Sequence, residues 1–434
     1  MPPFLTALDS RAAVKGSRDP LGIQAIWTRF GRHVVGNLTT VSTSVRDFTV
    51  LLLGYHFAER VAASGETGTE LATFLKWEQL AAYARGHVNE EYGFRGTQRV
   101  MRRLAEGNRM TISPDREHQI LANQKIYGLW GLYTVPARSS GLVEPDSHRL
   151  TPVAHEFVQA NYLSQLAKRG LGNGEQIVRM LGREQYHLHV DKRDADLLKA
   201  AASMLRSGLS EVEREFYREH LLLGGPEDRT RGLQRSFVDL IQPTLTEEDF
   251  AFDPVAVHAL ARESRRDGGE DDELAHRLDR IAVCETLVAP SSALFSFLLS
   301  YHGADIGEIA RDIRLAWGER LPHIDPEPIA DLRAEIASAY DAEVAERWLQ
   351  IGAGLHQGEY ERAVELLLLQ NGQVMAWRGG SAPWAELRKG KLHVRFRDES
   401  GFLPKRDELP RLWRFSYFLD SVHSMARTLS GEAA

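Results

Sequence analysis

Cysteine occurs once in the 434 residues, at Cys284. A single thiol cannot close an internal disulfide, and a zinc site here would rest mainly on His and carboxylate ligands, which structural zinc sites rarely do. The composition therefore points to a reducing compartment, read here as the cytoplasm, and no metal or cofactor is expected. Long apolar runs are missing as well. Val50 to Gly54 and Leu366 to Leu369 are among the longest, far short of the roughly 20 residues that cross a bilayer, so no membrane partner is expected. Met1 to Ser17 has no basic stretch leading into the apolar core that a signal peptide needs. No fixed-period repeat is present, which disfavours a solenoid.

Catalytic signatures are equally scarce. Arg169 to Gly174 has glycines before a helix but neither the phosphate-loop spacing nor its lysine, and Ser139-Ser140-Gly141 is no nucleophile elbow. His187-Leu188-His189 with Asp191 offers metal-ligand types without a third anchored ligand. Asp398 and Glu399 lie beside a strand, as some nuclease carboxylates do, but without a spaced third acid and lysine.

What is present is a globular composition, 43% hydrophobic and 26% charged, with a net charge of -7. That total argues against a chain coated in positive charge, yet it hides local patches. A chain of this length calls for several cores. Apolar residues three or four apart recur in Ala81 to Arg103, Gln119 to Tyr133, Leu150 to Leu166, Glu211 to His220, Asp305 to Trp317 and Arg411 to Leu429, as amphipathic helices require. Strand patterns are few. The clearest is Trp384 to Arg397, where two alternating segments flank Lys389-Gly390 as a hairpin turn would. The fold class expected is mainly α: a multidomain helical protein with a winged-helix-like segment and a small C-terminal β-hairpin. The hydrophilic stretch Arg265 to Glu273 reads as a linker, and softer breaks give four parts: 1–72, 73–168, 169–266 and 274–434.

The winged-helix reading rests on helices around Leu75 to Arg85 and Gly96 to Leu104, a short strand at Met110 to Ser113, and a second near Arg149-Leu150. The Asp146 to His148 turn would then project as a wing beside a duplex. From Arg95 to Ser140 eight basic residues (Arg95, Arg99, Arg102, Arg103, Arg109, Arg116, Lys125, Arg138) face three acids, Glu106, Asp115 and Glu117. Such an excess can neutralise phosphates, and the arginines from 95 to 103 are spaced to gather on neighbouring helix faces. A second excess, ten basic residues against five acids, runs from Arg378 to Arg414 and includes Arg388, Lys389, Lys391 and Arg395. Trp377, Trp384, Phe396, Phe402 and Trp413 are interleaved with it, either to stack on unpaired bases or to fill the hairpin's buried face. Ser44 or Thr43 is placed to cap a helix carrying Arg46 and Asp47 in its first turn.

Three patches, Asp19 to Ile23 with Ser42 to Tyr55, Ile120 to Tyr133, and Leu412 to Met425, resemble an uncharacterised family of bacterial proteins encoded near helicases and phospholipase-D-like nucleases in phage-defence clusters. The resemblance implies a context, a multi-gene antiviral-defence module, and transfers no catalytic residue. The leading expectation is a non-catalytic DNA-binding or adaptor subunit of such a complex, with DNA and protein subunits as partners. The alternatives are a divergent metal-dependent nuclease and a protein-interaction scaffold that ignores nucleic acid.

Overall fold

The computed structural model describes residues 19–65, 69–168, 170, 172–191, 193–268, 272–380, 382–397 and 401–431. The chain is mainly helical with two small antiparallel sheets, one of them the C-terminal hairpin. Its first half runs α1 (Ile23–Val34), α2 (Val45–Ala63), α3 (Glu70–His87), α4 (Thr97–Glu106), strand β1 (Arg109–Ile112), α5 (Gln124–Tyr127) and α6 (Leu129–Ser139), and then shorter helices around strand β2 (Tyr186–His189). The second half adds long helices and the strands β3 (Ala385–Arg388) and β4 (Lys391–Val394).

Two compact units emerge, and neither is continuous in sequence. One takes residues 19–34 and 249–419, and the other takes 35–248 and 420–431. The divisions near 72, 168 and 266 read from composition do not coincide with these limits. The hydrophilic stretch at Arg265 falls between two helices of one unit: Arg265 and Arg266 end the helix Pro254–Gly268, and the next helix is Glu273–Leu298.

In the unit formed by 35–248 and 420–431, α2 is buried almost all round, with Phe48, Leu51, Leu52, Leu53, Tyr55 and Phe57 closed off from solvent. Ser44 caps it by accepting the Asp47 N–H, and Asp47 sits in the first turn. Against it lies α3, whose Trp77 indole N–H donates to the Val50 carbonyl at 2.8 Å. Gly54 permits that approach, since a Cβ there would stand 2.6 Å from the Phe74 ring. Glu78 and Gln79 of α3 are buried but bonded. Glu78 accepts from Gln124 Nε2 and from the Leu129 N–H, both at 2.7 Å, and Gln79 both donates to and accepts from the Ser113 backbone.

Strand β1 pairs with β2, in the register Arg109↔His189, Met110↔Leu188, Thr111↔His187 and Ile112↔Tyr186. This corrects the expected partner near Arg149-Leu150. That segment folds back on its own neighbour, Leu150 bridging Val143 with the Glu144 N–H donating to the Arg149 carbonyl, so it is too short to serve β1. The fully buried Leu188 supplies the apolar cross-strand contact that Met110 needs. Nor does the turn at Asp146 to His148 project as a wing. The His148 ring stacks on Trp130 at 4.1 Å, and Arg138 donates to the Ser147 carbonyl at 2.7 Å, which lays the turn down on α6.

In the other unit, Glu273–Leu298 is the 26-residue central helix, capped by Asp272 accepting from the Leu274 and Ala275 N–H groups. By length and composition it could cross a membrane, a property that short apolar runs do not reveal, but 72% of its most apolar stretch is buried inside the protein. The hairpin β3–β4 packs beside the helix Tyr360–Trp377. Its register is Ala385↔Val394, Glu386↔His393, Leu387↔Leu392 and Arg388↔Lys391. Lys389 (φ 52°) and Gly390 (φ 78°) make the two-residue turn, both left-handed as the twist of such a hairpin demands.

Candidate functional site

The basic segment 95–140 is consumed largely from within. Arg99 donates to the carbonyls of Gln119 (2.8 Å) and Leu121 (3.0 Å), and Arg103 donates to those of His118 (2.7 Å) and Glu117 (2.6 Å). These carbonyls belong to an irregular loop with few backbone donors, so two arginines of α4 supply them. Arg95 reaches the Val41 carbonyl at 3.4 Å and lies over the Tyr133 ring, while Arg138 holds the Ser147 carbonyl. The exposed cations are Arg102, Arg109, Arg116 and Lys125, and Arg102 stands 3.8 Å from Glu106. Glu106, Asp115 and Glu117 are exposed in the same segment. Eight cations against three acids in the sequence therefore become four against three at the surface. The four arginines between 95 and 103 do not form one phosphate-facing row.

The hairpin of the other unit behaves differently. Arg388, Lys389 and Lys391 are all exposed around the β3–β4 turn. Glu386 holds Arg388 and also Arg395, the latter at 2.8 Å, while Arg395 donates besides to the Pro383 carbonyl. Lys389 and Lys391 have no ion-pair partner among the described residues. Of the interleaved aromatics, Trp384 is buried and stacked on Phe396 at 4.3 Å, Trp377 stacks on Tyr340, and Trp413 lies against Tyr417. Phe402 stays 77% exposed. Trp377 and Phe396 also stay exposed, 44% and 39%, so packing buries Trp384 and partly covers Trp413. Beside the hairpin, a groove of about 610 Å³ runs along the helix Tyr360–Trp377, lined by Leu368, Leu369, Ala376, Pro383 and Leu387, with Leu369 61% exposed.

A third feature, in the unit of α2, was not legible in the sequence beyond one residue. Arg46 is buried and its Nη1 donates to Glu213 Oε1 at 2.7 Å and to Thr49 Oγ1 at 3.3 Å, while Nη2 donates to the Gly208 carbonyl at 3.1 Å. Arg46 does not pair with its neighbour Asp47, which pairs instead with Arg85 at 2.9 Å. Tyr162 also donates to Glu213 Oε1 (2.7 Å), and the hydroxyls of Thr49 and Tyr217 are 2.9 Å apart. Glu213 is at once the capping-box residue of the helix Glu211–Tyr217, accepting the Ser210 N–H at 2.8 Å through Oε2. Burial pushes its carboxyl up, but Arg46, the Ser210 N–H and the Tyr162 hydroxyl outweigh that and hold it below the usual carboxylate value. A cleft of about 340 Å³ opens over this pair. Partners 51, 167 and 168 residues apart leave no local signal that would have joined them.

His187 and His189 share one face of β2, where His187 Nδ1 lies 3.2 Å from Thr111 Oγ1, and Asp191 accepts from Asn108 at 2.6 Å. Among the described residues no three His, Cys, Asp or Glu side chains are gathered to hold a metal ion. Asp398 and Glu399 lie outside the described residues. Comparison with protein-family models, with curated proteins and with solved structures finds no match, so function is argued from this geometry.

Proposed function

We propose that this chain is a non-catalytic nucleic-acid-binding adaptor subunit of a bacterial phage-defence or DNA-processing complex, acting in the cytoplasm. The observation that carries the reading is the β3–β4 turn, which presents Arg388, Lys389 and Lys391 to solvent within four residues. Close positive charges on a rigid turn displace counterions from a phosphate backbone, and they do so without reading sequence. Arg102, Arg109 and Lys125 of the other unit are secondary contacts, because three exposed acids share their segment and one of them, Glu106, stands 3.8 Å from Arg102. Arg95, Arg99, Arg103 and Arg138 support the fold, and Arg395 supports the hairpin through Glu386 and Pro383.

The test is a fluorescence-anisotropy titration of labelled duplex and single-stranded DNA with the full chain at low and moderate salt. Wild type binds more weakly as salt rises, and replacing Arg388, Lys389 and Lys391 together by Ala removes most of the binding. Retention of full affinity in that variant sinks the assignment.

The groove beside the hairpin favours a second reading, a scaffold for partner proteins. An apolar trough with an exposed leucine is the form in which proteins receive an apolar side chain of a partner. A stable complex with a partner subunit that forms equally well without DNA, and is lost in Leu369→Asp, would favour it over nucleic-acid binding. The divergent nuclease draws no support from the described residues.

A further inference from the structure

The cleft over Arg46 and Glu213 lies in the unit of α2 and is lined by none of the residues placed above in nucleic-acid contact, and its size suits a small molecule. We infer that it is a binding site for a small organic anion, a phosphate or carboxylate carried on a polar body of about nucleoside size. Three observations lead there.

The first is charge. Arg46, Arg206 and Glu213 are the charged side chains lining the cleft. Arg46 and Glu213 cancel each other at 2.7 Å, which leaves the exposed Arg206 at the rim as a net positive charge. Both carboxylate oxygens of Glu213 are already taken, Oε1 by Arg46 and Tyr162, Oε2 by the Ser210 N–H and hydroxyl. The floor therefore has no free acceptor to hold a cation and no unpaired charge to repel an anion.

The second is the supply of hydrogen bonds. Asn161, Gln165 and Ser203 line the walls; Asn161 Nδ2 donates to the Phe157 carbonyl and Ser203 Oγ to that of Ala200, which leaves the Gln165 amide and the Asn161 and Ser203 oxygens facing a ligand's hydroxyls or ring nitrogens. Arg46 itself is buried, and its Nε has no acceptor. A buried donor left unbonded is costly and rare in a native interior.

The third is local backbone. Asn161 and Tyr162 sit in the π-helical segment Gln159–Leu163, and a second one, Arg218–Leu222, begins directly after Tyr217. π-Turns inside helices are rare and concentrate at functional sites, because the wider turn costs regular hydrogen bonding that only a particular side-chain placement repays. Here two of them bracket one buried network. The volume, about 340 Å³, lies at the small end of ligand pockets.

The probes are inorganic phosphate, adenosine monophosphate and citrate, each titrated into the full chain by calorimetry at neutral pH, with thermal unfolding followed in parallel. Binding by at least one probe is expected, with a rise in apparent Tm from mass action, and Arg206→Ala weakens it at least tenfold. Arg206 is exposed, so the variant folds, and Arg193→Ala, an exposed arginine outside the cleft, leaves affinity unchanged. Binding of the nucleotide without phosphate assigns the site to a phosphorylated body, and binding of citrate alone assigns it to a carboxylate. No binding of any probe at millimolar concentration, or equal affinity in Arg206→Ala, overturns the inference. Either result is independent of DNA binding at the hairpin of the other unit.

Discussion

Arginine in this protein works as often inside the fold as outside it. Arg99 and Arg103 each close a loop by bonding its carbonyls, whereas Arg102, between them, faces solvent with its side chain 68% exposed. Arg99→Ala and Arg103→Ala should each cost about 1–3 kcal/mol, because half-buried carbonyls lose their donors, while Arg102→Ala should stay within about 0.5 kcal/mol. Urea unfolding of the three variants measures this. Glu285 is a residue of the same internal kind. It is fully buried and accepts from the Arg414 and Phe415 N–H groups and from the Tyr417 hydroxyl, which pins a turn where Tyr417 and Phe418 both take positive φ. Burial pushes its pKa up to about 7, the bonds from the backbone and from Tyr417 pulling the other way. The folded form thus holds a proton that the unfolded chain releases. The resulting stability is complete below the unfolded value near 4.5 and is lost as pH rises through about 7. Comparing wild type with Glu285→Gln by denaturant midpoint between about pH 5 and pH 8 should show a shallower decline in the variant, the whole effect being roughly 3 kcal/mol. An unchanged slope would contradict the assignment. Cys284, adjacent and fully buried, has its thiol pushed up by the same burial. It should resist a thiol reagent in the native state and react at once in denaturant.

At the scale of elements, what the sequence revealed depended on how local the determinant is. The hairpin was legible because its turn residues, Lys389 and Gly390, lie between two alternating segments, and the helix cap at Ser44 because it directly precedes its helix. Strand β1 was placed, but its partner was not. Tyr186 to His189 lies more than 70 residues downstream, and pairing over that distance is decided by which buried face needs Leu188, not by anything adjacent to Met110. The wing failed for a related reason: a polar turn gives no sign that His148 will stack on Trp130. Gly390 carries the turn's left-handed backbone, so Gly390→Ala should destabilise the hairpin by about 1 kcal/mol, seen as faster hydrogen exchange at the β3 and β4 amides with little change elsewhere.

For the whole chain, composition described the class well and the partition poorly. A mainly helical protein followed from the periodicity, but units that the chain leaves at residue 34 and re-enters at 249 cannot be seen in composition, which varies only along the chain. The same distinction governs function. Counting charges along the sequence left 95–140 and 378–414 level, with an excess of five each, and the winged-helix pattern put 95–140 first; the folded surface instead gathers Arg388, Lys389 and Lys391 at the β3–β4 turn, with Asp305 bridging Lys391 from a neighbouring segment. The measurement that decides between these is the salt dependence of DNA affinity, by anisotropy, for wild type, for Arg388→Ala/Lys389→Ala/Lys391→Ala, and for Arg102→Ala/Arg109→Ala/Lys125→Ala. The plot of log affinity against log salt should lose about 0.9 of slope for each phosphate contact removed at the hairpin, and much less for the second triple variant. Equal slopes in wild type and the hairpin variant, or no DNA binding by wild type, would contradict the assignment to the hairpin.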